Sequence, residues 1–187
     1  MFDLNQASDK ITTTYQTPGI DEVTFTEVLL EKTKANSVPF IKLVTKNSNG
    51  DIGNSSQMFL STEIKPGKTM AAWNVTARNL VDILMSAHDC DEATAKGMIV
   101  AQSEEDLKNK LAARLVGRKV RAKFKGETSQ KGNIFAILAQ TESVKVPAEQ
   151  SRLKFDKSRD ITAFKGIPTG NDAAFATSVK EGEDLPF

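Results

Sequence analysis

The sequence predicts a mainly β fold with a helical insert, α+β in class, and three observations carry that expectation. Residues 119–125 (KVRAKFK) alternate strictly between cations and apolar side chains, the period of two that marks a half-buried strand. Residues 22–46 hold two runs rich in β-branched and aromatic residues, with Pro39 heading the second. Residues 74–115, by contrast, repeat apolar side chains at spacings of three and four, as helices do.

The elements follow in order. Residues 1–19 are polar and Thr-rich and end at Pro18-Gly19, so they read as a loosely held arm on which Tyr15 packs or offers a ring to a ligand, packing being the plainer role. In residues 22–32 (EVTFTEVLLEK), Val23 and Phe25 share one parity, and Val28 and Leu30 the other. A bulge near Glu27 would return both pairs to one core, and long bent first strands of this kind suit small closed barrels. A second strand covers residues 40–46, Asn49-Gly50 gives a tight turn, and a third strand is expected at about residues 57–61. Residues 74–87 place Leu80, Ile83, Leu84 and Ala87 on one helical stripe, and a short helix is expected at residues 91–100. Ser103 followed by Glu104, Glu105 and Asp106 is a strong helix start, with Leu107, Leu111 and Leu115 behind it and Gly117 as the stop. The basic strand comes next. Residues 126–132 form a loop, and residues 133–142 supply a partner strand.

Five strands with helices between the third and fourth is the element order of the OB-fold, a five-stranded antiparallel Greek-key barrel that binds oligonucleotides. The expected organisation is an arm at residues 1–19, a domain at 20–165 with its insert at 74–117, and a flexible acidic tail at 166–187, where the composition turns to Gly, Ala, Ser and Thr.

The densest charge lies in residues 108–125, which hold eight cations and no acid. Lys119, Arg121, Lys123 and Lys125 would stand in a row on the open face of a strand, with Arg118 beside them. Two readings stand side by side. Such a row suits a polyphosphate backbone, or it only blunts a sheet edge. Residues 151–165 interleave Arg152, Lys154, Lys157, Arg159 and Lys165 with Phe155 and Phe164, a pattern that can track a single strand or pack on the barrel. Phe40 and Lys42 fall on the strands that form the usual OB binding face. Trp73 either stacks on a base or anchors the helix, the anchor being the plainer role. The densest cations lie off that usual face, so the nucleic acid wraps round the barrel edge or the strand numbering shifts.

Bulk properties narrow the class. The chain has 187 residues, 39% hydrophobic and 26% charged, enough for one domain with its own core. Net charge is +1, divided unevenly: residues 171–187 carry −3 and the remainder +4. The lone Cys90 forms no intrachain disulfide and fits a reducing compartment, the N-terminus has no apolar signal segment, and no run approaches the ~20 apolar residues of a membrane helix. A soluble cytoplasmic protein is expected. His88-Asp89-Cys90-Asp91-Glu92 gathers ligand types, but one Cys and one His cannot make a structural zinc site, and a helix start explains the run. Residues 66–69 (PGKT) end like a phosphate-binding loop, yet Thr62 stands where the leading glycine belongs. No nucleophile has a recognisable catalytic frame, so no enzyme activity and no cofactor are expected.

The last residues are the most specific. Glu183 and Asp184 are followed by Leu185, Pro186 and Phe187 at the carboxylate, and such an ending arises by chance in on the order of one chain in ten thousand. Proline restricts the backbone, the ring can fill an apolar pocket, and the acids steer toward basic partners. The ending closely resembles the tip of bacterial single-stranded DNA-binding proteins. The body, with its helical insert, looks more like the single-stranded DNA-binding proteins of tailed bacteriophages, although the tail has fewer acids than theirs. The resemblance implies sequence-tolerant binding of single-stranded DNA in an infected cell, and recruitment of replication, recombination and repair proteins by Asp184, Leu185, Pro186 and Phe187. A β-barrel virion or assembly protein and an RNA-binding or strand-annealing protein are the alternatives. Homo-oligomers are possible under any of the three.

Overall fold

A computed structural model describes residues 14–129 and 132–163. The chain is mainly β, with a mixed seven-stranded sheet and four helices among these residues. In chain order the elements are β1 (Gly19–Lys32), β2 (Pro39–Asn47), β3 (Ile52–Ser55), β4 (Met58–Phe59), α1 (Ala72–His88), α2 (Glu92–Gly97), α3 (Glu104–Leu115), β5 (Lys119–Thr128), β6 (Ile134–Ser143), α4 (Lys157–Asp160) and β7 (Ile161–Thr162).

β1 pairs with β2 over its whole second half and with β5 over its first half. β2 pairs with β3, β3 runs parallel to β6, and β6 pairs with β5, so the path of hydrogen-bonded neighbours returns to β1. One long strand serves two partners, one along each edge, and it changes register with β2 between Phe25 and Glu27. That irregularity puts Val23, Phe25 and Val28 all in the core, as the apolar parity demands.

The core is built from facing apolar sets. Ile41 and Leu43 on β2, Val120, Ala122 and Phe124 on β5, and Leu138 on β6 meet Leu80, Ile83 and Leu84 of α1 and Leu107, Leu111 and Leu115 of α3. Ser103 caps α3, its hydroxyl accepting from the Asp106 N–H at 3.1 Å, and Asp91 caps α2 through the Thr94 N–H at 2.8 Å. Where β3 ends, the Ser55 hydroxyl takes over the sheet's role, accepting from the Leu43 N–H at 2.9 Å.

The sheet departs from the sequence expectation in three places. The third strand is Ile52–Ser55, directly after the Asn49-Gly50 turn, and the expected strand at residues 57–61 shrinks to the pair Met58–Phe59 on the edge of β2. The sheet is mixed, not wholly antiparallel, because β6 returns alongside β3 in the same direction after the helices, and β7 lies parallel to β5. The basic strand also runs on to Thr128, which shortens the expected loop. The Asp91 and Ser103 caps, the Gly117 stop and the register change lie where the sequence signals put them, whereas α1 extends two residues before and one beyond the expected 74–87, α2 ends at Gly97 and not near residue 100, and α4 was not expected.

Candidate nucleic-acid interface

β5 presents its two faces as the alternation requires. Val120, Ala122 and Phe124 are fully buried, so Lys119, Arg121, Lys123 and Lys125 project from the opposite face. That face is not an open cationic row, and this corrects the expectation. Arg121 stands in register with Glu22 of β1 and Glu142 of β6, a three-strand row with the cation in the middle. Its guanidinium lies 3.7 Å from Glu22 and 3.5 Å from Glu142, and its Nη1 donates to the Val146 carbonyl at 2.9 Å. The Lys123 ammonium lies 2.8 Å from Asp160 Oδ2, and that of Lys125 lies 3.9 Å from Oδ1. Lys119 pairs with Glu22 at 2.8 Å. The side chains of Arg121 and Lys123 are only 13% and 11% exposed, and neither is placed to meet a phosphate in this arrangement.

The cover is the chain after β6. The Arg152 N–H donates to Glu142 Oε1 at 2.9 Å, Leu153 is buried, and β7 pairs with Gly126 and Glu127. Gly126 makes this approach possible. A Cβ there would stand 2.9 Å from Ile134, 3.0 Å from Pro18 and 3.2 Å from Ile161, so three elements converge where a side chain is missing.

The carboxylates report the same environment. The Lys123 ammonium, with the Asp156 N–H, holds the Asp160 carboxyl below its usual range. The Lys119 ammonium does the same for Glu22, aided by Arg121. Burial alone would push Glu142 up, but hydrogen bonds from Ser151 and the Arg152 N–H, with the charges of Arg121 and Arg152, outweigh it and leave the group depressed.

Farther along the same outer face, where β6, β3 and β2 join β5, exposed rings combine with cations. Ile41, Leu43 and Thr45 of β2 point inward, so Lys42, Val44 and Lys46 lie on the opposite side, where Val44 is buried, Lys42 half-buried and Lys46 exposed. Register then lays out two rows. Lys125, Ile137, Asn54 and Val44 pair successively across β5, β6, β3 and β2. One step along, Glu127 pairs with Phe135 and Ile52 with Lys46, while Tyr15 bridges to Ile52 on the edge that faces away from β2. The arm is pinned there through its backbone: the Gln16 N–H donates to the Ile52 carbonyl at 2.9 Å and the Ile52 N–H to the Thr14 carbonyl at 3.0 Å. Tyr15 is 66% exposed and Phe135 56%, so the packing role expected of Tyr15 falls to its backbone and the ring stays open to solvent. Two large rings and the ammoniums of Lys46 and Lys125 therefore share one outer face.

The other expected site residues divide. Phe40 is 3% exposed, edge-on to Phe59 with ring centres 5.9 Å apart, so it packs and cannot stack on a base. Trp73 is half-buried against the core and lines a cavity of about 820 Å³ between the helices, the anchoring position. Lys42 is half-buried beside Leu29, and Arg118 is exposed at the start of β5. Arg152 and Lys154 face outward around buried Leu153, while Phe155 is half-buried. Asp184, Leu185, Pro186 and Phe187 lie outside the described residues.

Sequence reading missed Phe135 and Lys46. The signal was present: Ile134 and Phe135 are consecutive apolar residues in a strand, so one of them must face away from the core. Among the described residues no three His, Cys, Asp or Glu side chains stand together as a metal site, and no helix is long and apolar enough to cross a membrane. No protein-family model matches the chain, and no curated protein is significantly similar to it.

Proposed function

We propose that this chain is a sequence-tolerant single-stranded DNA-binding protein of the kind tailed bacteriophages make, acting in replication or recombination inside the bacterial host. The observation that carries the reading is the face on which Tyr15 and Phe135 stand exposed, with Lys46 paired to the Ile52 that Tyr15 bridges and Lys125 one row from Phe135, whose own register partner is Glu127. Exposed rings stack on bases of any identity and ammoniums meet the backbone, which is the chemistry of single-strand binding without sequence preference. Large rings left open in this way cost solvation, and a stacking ligand offsets that cost.

The returning path of strand pairs, with helices between the third and fourth of its five members, supports an OB-like barrel. The face just described is then its β2–β3 side, where OB-folds take oligonucleotides. Leu185, Pro186 and Phe187 would serve as the separate module that captures replication proteins. Two experiments test the reading. Competition of single-stranded DNA, duplex DNA and RNA, followed by the anisotropy of a labelled oligonucleotide, should rank single-stranded DNA first. Preference for RNA favours the annealing alternative, and no binding at all favours the virion alternative. Deleting residues 185–187 should leave DNA affinity intact or raised while abolishing partner capture; equal recovery with and without the tip removes that role.

A further inference from the structure

We propose that Lys123 and Lys125 form a phosphate site that the chain's own Asp160 occupies, and that a single-stranded polyanion takes this site by lifting residues 156–163 off β5. The proposal rests on the single-strand reading given above. Asp160 presents one oxygen to each ammonium, at 2.8 Å and 3.9 Å, as the two free oxygens of a phosphodiester would. The carboxylate is a stand-in of the same charge.

The contrast with Arg121 shows which acid can leave. Glu22 and Glu142 belong to the strands flanking β5, paired to it over the first half of β1 and the length of β6, so they stay with the sheet. Asp160 belongs to a four-residue helix, tied to β5 by the two register pairs of β7 and by the Thr162 hydroxyl, which donates to the Gly126 carbonyl at 3.3 Å. The other hydrogen bonds of Asp160 are local: its Oδ2 accepts from the Asp156 N–H at 2.9 Å, and its own N–H donates to the Asp156 carbonyl at 2.8 Å. The turn can therefore move as a unit and keep the carboxylate hydrogen-bonded. Leu153 and the bond from Arg152 to Glu142 lie upstream and hold the rest of the segment in place.

Charge bookkeeping favours exchange over simple opening. Opening alone would part the Lys123 and Lys125 ammoniums from the one carboxylate they share. An incoming phosphodiester replaces that acid at once. The lifted turn carries Lys157 and Arg159, both facing solvent, which give the same polyanion a foothold on the moving part. Lys125 also stands in the row of Ile137 and Asn54, so the opened site is continuous with the face bearing Tyr15 and Phe135. The bound strand would extend from the rings past exposed Glu127 to the lysines.

The test locks the segment shut. Glu127 and Thr162 are exposed register partners on adjacent strands, at a separation that a disulfide spans. Full-length protein carrying E127C and T162C in a C90S background is titrated with oligothymidylate, oxidised and then reduced. Oxidation is expected to weaken binding about tenfold or more and to reduce the salt slope by about 1.4, roughly 0.7 for each of two lost phosphate contacts. Reduction should restore both. Equal affinity in the two forms overturns the exchange while leaving the single-strand reading intact, whereas no binding by either form overturns that reading and the exchange with it. A second measurement covers a cross-link that fails to form. Amide exchange at residues 156–162 should quicken when oligothymidylate binds the unmodified protein, and slower or unchanged exchange overturns the proposal.

Discussion

Gly53 lies flat against the ring of Phe124. A Cβ on Gly53 would stand 2.6 Å from Phe124 Cε1 and 2.7 Å from Thr45 Oγ1, and both neighbours are fully buried. Neither can step aside without disturbing the core, so G53A should cost about 1–3 kcal/mol as an overpacked site. Urea denaturation would show a lower midpoint at an unchanged slope. An unshifted midpoint would mean that the ring is freer than its surroundings imply.

The row Glu22, Arg121, Glu142 assigns Arg121 to the fold. R121A leaves the Glu142 carboxylate buried beside an empty place, a loss of roughly 3–5 kcal/mol for a broken buried pair. Arg152 also touches Glu142, but its side chain is 90% exposed, and R152A should stay within about 0.5 kcal/mol of the parent. Denaturation of the two variants side by side separates them; equal stability removes the structural role given to Arg121.

Acid should loosen the cover. Asp160, Glu22 and Glu142 are all held below their usual values in the folded chain, so the unfolded chain binds protons first as pH falls. The stability they contribute is complete above the unfolded carboxylate range, about pH 4, and is lost as pH drops through the depressed folded values. Thermal midpoints should hold from pH 7 to about 5 and then fall, and D160N should make that fall shallower. A D160N profile parallel to that of the parent would rule the Lys123–Asp160 pair out as a source.

Binding should depend on rings that lie on the outer face. Y15A and F135A should each weaken oligothymidylate binding by about 1–3 kcal/mol, roughly 5- to 150-fold, with little change in stability. F40A should do the reverse, costing about 3–5 kcal/mol of stability because that ring is packed against Phe59. Titration and denaturation of the three proteins decide the assignment. Full affinity in the doubly substituted Tyr15 and Phe135 protein would move the interface elsewhere.

Local signals in the sequence were legible where one residue's chemistry decides the outcome. Ser103 and Asp91 start their helices, Glu27 marks the register change, and the alternation of β5 puts Val120, Ala122 and Phe124 inside. The third strand was misplaced because Ile52–Ser55 is only four residues long and carries Gly53 and Asn54, both poor strand formers, while Met58 and Phe59 looked better. The charge row was misjudged for another reason. Its acids come from 99, 21 and 37 positions away along the chain, counted from Arg121 to Glu22 and Glu142 and from Lys123 to Asp160, and no local pattern announces such pairings. The arm at Tyr15 depends on a backbone bridge to Ile52, which side-chain periodicity cannot reveal.

The circuit of strands is closed between β3 and β6 by two residue pairs, Asn54 with Ile137 and Ser55 with Leu138, whereas its other junctions are longer ladders or, at β2 and β3, a tight hairpin. A fluctuation that parts this seam separates two self-contained hairpins, β2–β3 and β5–β6, still hinged along β1. Opening at the seam, beside Tyr15 and Phe135, breaks fewer strand pairs than opening at any other junction of the circuit, so the surface we propose for a ligand is also where the backbone would yield most cheaply.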